Sequence, residues 1–397
     1  KAVNYLKFRL GYGTSAHFPT PYNTRASLNL TTNAFIDPNG NVINTASIPN
    51  QVPNPNLKPE LLRETEAGIE GRFFDNRVTL DLTGYSRKAK NQILSRQLDA
   101  STGYTSTTIN AGEVDNKGIE MNLGLTIVRT KDWRWEVNGI FTLNRNKVQN
   151  MPVDIKQIQT NGYGGGPGTF AVNGKPLNIL EGSYVQLDTG AGSHSTGKKM
   201  VDVNGYFIGS AGIAQIGDPN PDYKLTGVST LSYKSFSFRM QWDYTKGGDV
   251  WSNTVRTLLA RGLTKDTDFD RTLPYTIPNT VTQDGTPNTI QQSVDNIYFN
   301  AYGFSPASEN VWDATVIRLR EASLSYSLPP RILKGTPFGS ASLSFSGTNL
   351  WYLAPNFPKY SRYDPESNSL GVTNQRGIDL FAGPSSRRIG ASLRVSF

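Results

Sequence analysis

Few residues in this chain are set up for covalent chemistry. Gly192-Ser-His-Ser-Thr-Gly-Lys-Lys199 comes close to a phosphate-cradling loop. However, Lys199 stands where magnesium needs a Ser or Thr hydroxyl, and no strand–loop–helix pattern surrounds it. A flexible loop is the reading. Asp202-Val-Asn-Gly205 starts like a calcium loop but lacks the later ligands. A hairpin turn between Met200-Val201 and Tyr206-Phe207 accounts for it. The glycine-rich run Gly162 to Gly168 precedes no helix, so it is no dinucleotide fingerprint. There is no cysteine, and His17 and His194 are the only histidines. Thiolate nucleophiles, thiolate zinc sites and disulfides are excluded. Carboxylates are plentiful, but none is set beside an acid–base partner. We assign no catalytic residue, no metal site and no cofactor.

Aromatic residues in unpatterned stretches are the remaining candidates. Tyr163, Phe170, Trp312, Trp351 and Tyr352 could each offer a ring face to a sugar or a peptide side chain, and they form the candidate substrate-binding set. The competing reading for each is packing within its own loop.

Any such site has to be positioned by strands. Hydrophobic residues make up 37% of the chain and charged ones 18%, and the balance shifts towards Gly (38), Tyr (18) and Phe (18). This composition favours strands and turns over helices. Mean hydropathy is −0.43, and no apolar run has the length of a membrane-spanning helix. A membrane strand, however, needs only alternate residues to be apolar. The alternation is clear at the end of the chain. Ile389, Ala391, Leu393, Val395 and Phe397 are apolar, and Arg388, Gly390, Ser392, Arg394 and Ser396 lie between them. It recurs in Leu6-Phe8-Leu10-Tyr12, Val78-Leu80-Leu82, Ile119-Met121-Leu123-Leu125, Trp133-Trp135-Val137, Phe236-Phe238-Met240-Trp242 and Ala341-Leu343-Phe345.

In one segment the phase slips. Ile317 and Leu319 are apolar at odd positions, Ala322, Leu324 and Tyr326 at even ones, which predicts a β-bulge near Arg320-Glu321. The connections alternate between short and long, the long ones covering about 13–62, 89–116, 146–222, 247–314 and 349–387. Tight turns at one end and long loops at the other predict an all-β, antiparallel, up-and-down transmembrane β-barrel fold, with about ten strands in this chain. Aromatics such as Phe73, Trp133, Tyr233, Phe236 and Phe338 flank the short turns, at the height of a barrel's aromatic girdle. The opposite phase carries Glu66, Glu70, Arg72, Asp81, Glu120, Arg134, Glu136, Arg239, Asp243, Arg318, Arg320 and Arg394. A charge facing lipid costs about 2–4 kcal/mol at midplane, so these are expected to face the lumen. The net charge of +8 is spread singly along the chain, which fits lipid headgroups or a pore lining and argues against nucleic acid.

Several segments, in order, resemble the SusC/RagA family of TonB-dependent outer-membrane transporters. They are Asn54-Pro-Asn-Leu-Lys-Pro-Glu60 with Glu64 to Glu70, Asn110 to Met121, Ile216-Gly-Asp-Pro-Asn-Pro-Asp-Tyr223, Tyr233-Lys-Ser-Phe236, Ile317-Arg-Leu-Arg-Glu321, Gly347-Thr-Asn-Leu350 and Tyr363-Asp-Pro-Glu366. Gly118 in the second block is expected to give its strand flexibility. The resemblance implies that residues 1–397 are the C-terminal part of a barrel of roughly 22 strands. It also implies a plug and a TonB box, supplied with the remaining strands by a missing segment or a separate polypeptide. The implied function is import of oligosaccharides or peptides across the outer membrane of a Gram-negative, Bacteroidetes-like bacterium. The implied partners are a SusD-like surface lipoprotein, TonB, outer-membrane lipid and the barrel-assembly machinery, which would read Phe397. A passive porin-like or secretion-associated barrel is the alternative.

Overall fold

A computed structural model describes the whole chain except residues 22, 163–165, 191–195, 297–300 and 368–375. Ten strands form one antiparallel sheet: β1 Val3–His17, β2 Glu60–Phe73, β3 Val78–Lys90, β4 Glu113–Arg129, β5 Trp133–Gln149, β6 Pro221–Tyr233, β7 Phe236–Gly247, β8 Val316–Ser327, β9 Ser340–Leu353 and β10 Arg388–Ser396. Each strand pairs with its neighbour in sequence, from β1 at one edge to β10 at the other. This is the expected transmembrane barrel meander, laid out as an open arc.

The short turns adopt the backbone their residues favour. Phe74, Asp75 and Asn76 all take positive φ between β2 and β3, as does Lys234 between β6 and β7. Left-handed turn residues match the twist of antiparallel strands, and Asn and Asp tolerate that conformation best. The bulge falls where the phase slip predicts it. Leu319 pairs with Trp242 and Trp351, Glu321 pairs with Gln241 and Thr348, and Arg320 is skipped on both sides.

One face of the sheet is oily and open. Phe8, Leu10, Ile119, Trp135, Phe238, Leu324, Phe345, Ile389 and Leu393 are all exposed there. Rings meet across strands near the turns, with Trp133–Tyr233 centroids 4.3 Å apart and Phe236–Tyr326 centroids 4.6 Å apart. Phe397 continues the oily phase and lies 5.3 Å from the ring of Phe338. Among the described residues no helix is long and apolar enough to cross a membrane; strands make the crossing.

β4 and β5 are each 17 residues long, well beyond the roughly 9–11 that span a bilayer. Their far ends therefore stand above the membrane, where Val114 and Val148 are buried under the loops. The clustered hydrophobic cores also lie in the loops rather than between sheets. Val250, Val255 and Leu259 of the fourth long loop pack with Phe357 and Tyr363 of the fifth. Leu180 of the third packs with Trp251 of the fourth and Ile378 of the fifth. Three connections thus share one cap. The sequence reading missed this because the burial is split among loops with no common period.

Candidate functional site

The charges expected in the lumen share one face of the sheet. Strand register aligns Lys7, Glu70, Asp81, Asn122, Ile140, Thr226, Asp243, Arg318 and Tyr352 in a single row across nine strands. Directly paired residues point the same way, so the row defines the inner wall. Arg9 is part of this wall and was not singled out from sequence, although the alternation of Leu6, Phe8 and Leu10 already turns Lys7 and Arg9 inward. Its guanidinium donates to Asp81 at 3.1 Å and to Thr83 Oγ1 at 2.9 Å, with Glu70 at 4.0 Å. Arg72 lies 3.9 Å from Glu70, Arg134 2.7 Å from Glu136 and Arg239 3.9 Å from Glu321. Glu66 lies across from Gly11, where an added Cβ would meet its carboxyl group at 2.9 Å. Glu120 pairs with Thr83 and Thr142, and Arg394 with Ser342, on the same face.

The wall changes character across the sheet. β6 to β10 align Ser232, Ser237, Ser325, Ser344 and Ser392. Their hydroxyls meet in pairs, Ser232 to Ser237 at 3.2 Å and Ser325 to Ser344 at 2.9 Å.

The upper wall ends in a buried ion cluster. Arg318 is 1% exposed and bonds Asp364, and its Nε lies 3.4 Å from Glu366. The bulged Arg320 bonds Asp243 at 2.6 Å and Glu366 at 2.8 Å. Two arginines spaced i, i+2 on β8 therefore hold two carboxylates spaced i, i+2 on the last loop. Two segments singled out by their sequence, Ile317 to Glu321 and Tyr363 to Glu366, meet here. Arg318 and Arg320 share one phase of the strand, and the bulge after Leu319 lets Glu321 face inward as well while Ala322 and Leu324 return to the oily face.

The substrate-candidate aromatics are not gathered at one mouth. Phe170 is buried in a small sheet made of Gln157–Gly162, Gly168–Val172, Ile179–Gly182 and Ala214–Gly217. Trp312 packs on the fourth-loop core with its ring 5.7 Å from Phe357. Tyr352 points inward but is occupied: its hydroxyl donates to the Arg362 carbonyl at 2.5 Å and its ring lies 5.1 Å from the Arg318 guanidinium. Trp351 sits on the outer face, 6.0 Å from Trp242, out of reach of a solute in the lumen. Tyr163 lies outside the described residues. Loop packing and girdle placement account for these four rings, and the structure does not bring them together at one surface.

Other motifs resolve into local structure. Asp202 accepts from the backbone N–H groups of Asn204 at 2.8 Å and Tyr206 at 2.9 Å, holding the expected hairpin turn. Most of the phosphate-loop lookalike, residues 192–195, lies outside the described residues. Gly118 has a steric role rather than the expected flexibility: a Cβ there would stand 2.5 Å from the Tyr85 ring and 2.4 Å from the Leu143 carbonyl. The Asp218-Pro-Asn220 turn is a stitch. Asn220 Nδ2 donates to the Leu177 carbonyl at 3.0 Å and its Oδ1 accepts from Asn146 at 3.2 Å. Asp249 accepts from the Asp218 N–H at 2.7 Å, and burial holds its carboxyl above the ordinary range. Helix α1, Asn253–Ala260, is capped by Ser252, whose Oγ accepts from the Val255 N–H at 3.1 Å and donates to Asp379 at 2.6 Å. Asp379 also accepts from Thr254 N–H at 3.2 Å, a carboxylate placed at the positive end of the helix. Trp251 and Ser252 of the fourth loop and Asp379 of the fifth carried no sequence signal, since the two segments are more than 120 residues apart.

With the polar wall, oily outer face and loop cap in place, known proteins offer a direct comparison. The family profile described as "TonB dependent receptor-like, beta-barrel" matches residues 1–190. TonB-dependent receptor P3 of Formosa agariphila is 26% identical over all of this chain, which covers 40% of that protein. TonB-dependent receptor SusC of Bacteroides thetaiotaomicron is 29% identical over 99 residues, 25% of this chain and 10% of SusC. Over residues 1–190 the chain matches the TonB-dependent receptor β-barrel family, and along its whole length it is similar to proteins named as TonB-dependent receptors. It is an outer-membrane chain, and its likeness to SusC covers a quarter of its length. The RagAB peptide importer in its closed-closed state superposes with a TM-score of 0.72 at 19% identity, over 100% of this chain and 41% of that one. This likeness speaks to the fold. The chain spans about 40% of the length of its full-span curated relatives. The family consists of receptors and transporters rather than enzymes.

Proposed function

We propose that the protein containing this chain imports a nutrient, an oligosaccharide or a peptide, across the outer membrane by TonB-dependent opening of the barrel lumen. The observation that carries the reading is the inner wall: charges run in register across the sheet and end in a buried cluster that fastens the last loop over it. Such a wall suits a barrel that holds an internal domain and opens on demand, because paired charges fix a neighbour's position without exposing any charge to lipid. In this reading a SusD-like surface lipoprotein covers the loop cap, and Phe397 is the residue recognised during barrel assembly. The full-length protein, expressed with and without its TonB box, tests the proposal. Uptake of the cognate oligosaccharide or peptide should be lost with the box, while binding at the cell surface persists. Uptake that continues undiminished would reject it.

A further inference from the structure

We infer that a basic cleft at the extracellular rim of β9 and β10 binds a tetrahedral oxyanion, either the phosphate of an outer-leaflet lipid headgroup or a soluble phosphate. The cleft encloses 370 Å³. Its base is the end of β9, with Trp351 and Tyr352. Lys359 and Arg362 reach it from the loop that follows, and Arg387 from the lead-in to β10. Three cations therefore converge on one cavity, and among the described residues no carboxylate lines it. Among the described residues none of the three is in an ion pair, whereas the neighbouring arginines Arg318 and Arg320 are paired with Asp364, Glu366 and Asp243. Asp266 accepts from the Tyr360 N–H at 3.0 Å, and Asp364, next in sequence to the lining Tyr363, is bonded by Arg318. Lys359 lies 5.3 Å over the Tyr360 ring, which keeps its ammonium at the rim.

Position favours the lipid source. Trp351 and Leu353 are exposed on the oily face at the extracellular end of β9, the level at which a girdle Trp meets headgroups. Cations just above that level meet phosphate. Arg362 has φ +47°, an uncommon conformation for a non-glycine residue. It is held there because its carbonyl accepts the Tyr352 hydroxyl, so the loop presents the guanidinium from a fixed point.

The test uses the full-length protein with Lys359→Gln, Arg362→Asn and Arg387→Gln combined, asparagine being chosen because it tolerates positive φ. Lys334→Gln, at the opposite end of the barrel, is the control. Protein reconstituted with diphosphoryl lipid A is examined by native mass spectrometry for retained lipid, and delipidated protein is titrated with inorganic phosphate. Charge-assisted hydrogen bonds are strong enough that losing three should lower retention by roughly tenfold or more, with the control unchanged. Lower lipid retention assigns the lipid source, whereas lower phosphate binding with unchanged lipid retention assigns a soluble oxyanion. Equal lipid and phosphate binding in the wild type and the triple variant would overturn the inference. If the triple variant does not migrate as a folded, heat-modifiable barrel, Arg387→Gln alone should give a partial fall in the same readout, and no fall overturns the inference equally.

Discussion

Replacing Asp364 by alanine leaves the Arg318 guanidinium buried beside Tyr352, with only the more distant Glu366 to answer its charge. Removing one partner of a buried ion pair costs about 3–5 kcal/mol, far more than the pair itself contributes. The expected outcome is faster proteolysis within 354–387 while the barrel keeps its heat-modifiable migration. Arg318→Met with Asp364→Leu should recover most of the protection, because the buried charge goes with its partner. Glu181 gives a different prediction. It is 7% exposed, its Oε2 has no hydrogen-bond partner, and burial raises its pKa above that of a free carboxyl, with Gln157 opposing the shift. A raised carboxyl pKa means the folded cap holds the proton more tightly than the unfolded chain does. Acidification through the folded value should therefore stabilise the cap, and the gain should end below the unfolded value. Hydrogen exchange across 157–182 at neutral and mildly acidic pH measures this. Glu181→Gln should slow exchange at neutral pH and weaken the pH dependence, leaving the part due to Asp249.

At the scale of single strands, facing decides tolerance. Leu324 and Ser325 are adjacent on β8, yet one meets lipid and the other the inner wall. Leu324→Arg should cost up to about 2–4 kcal/mol, and Ser325→Arg much less. Urea unfolding of the full-length barrel in vesicles compares the two. The same alternation made the strands legible, since a period of two needs no partner to be recognised. It also exposed the bulge at Arg320, because a phase slip is visible within one segment. The site was legible only by halves. The inward charges followed from facing, but what they pair with did not, because Asp364 and Glu366 arrive from a loop 46 residues away from their arginines. The loop aromatics misled for a related reason: Trp351 and Tyr352 are neighbours in sequence that point to opposite faces, and only the register through Leu319 and Arg318 tells them apart. Gly118 was likewise read as flexible because Tyr85, the ring that lies across it, belongs to another strand.

On the scale of the whole sheet, β1 and β10 are its two edges and do not pair with each other. Edge N–H and C=O groups have no water to bond inside a bilayer. Residues 1–397 expressed alone should therefore fail to form a heat-modifiable species in outer membranes, and supplying the relatives' remaining strands in trans or in cis should restore it. The shared cap above the sheet has a bearing on how such proteins diverge. Leu180, Trp251 and Ile378 come from three different connections but fill one another's space, so a change of length or shape in one leaves a void or a clash in the others. Grafting a single loop from a relative should then yield a misfolded vestibule. Exchange of all three together is the smallest transplant expected to carry a preference from one receptor to another.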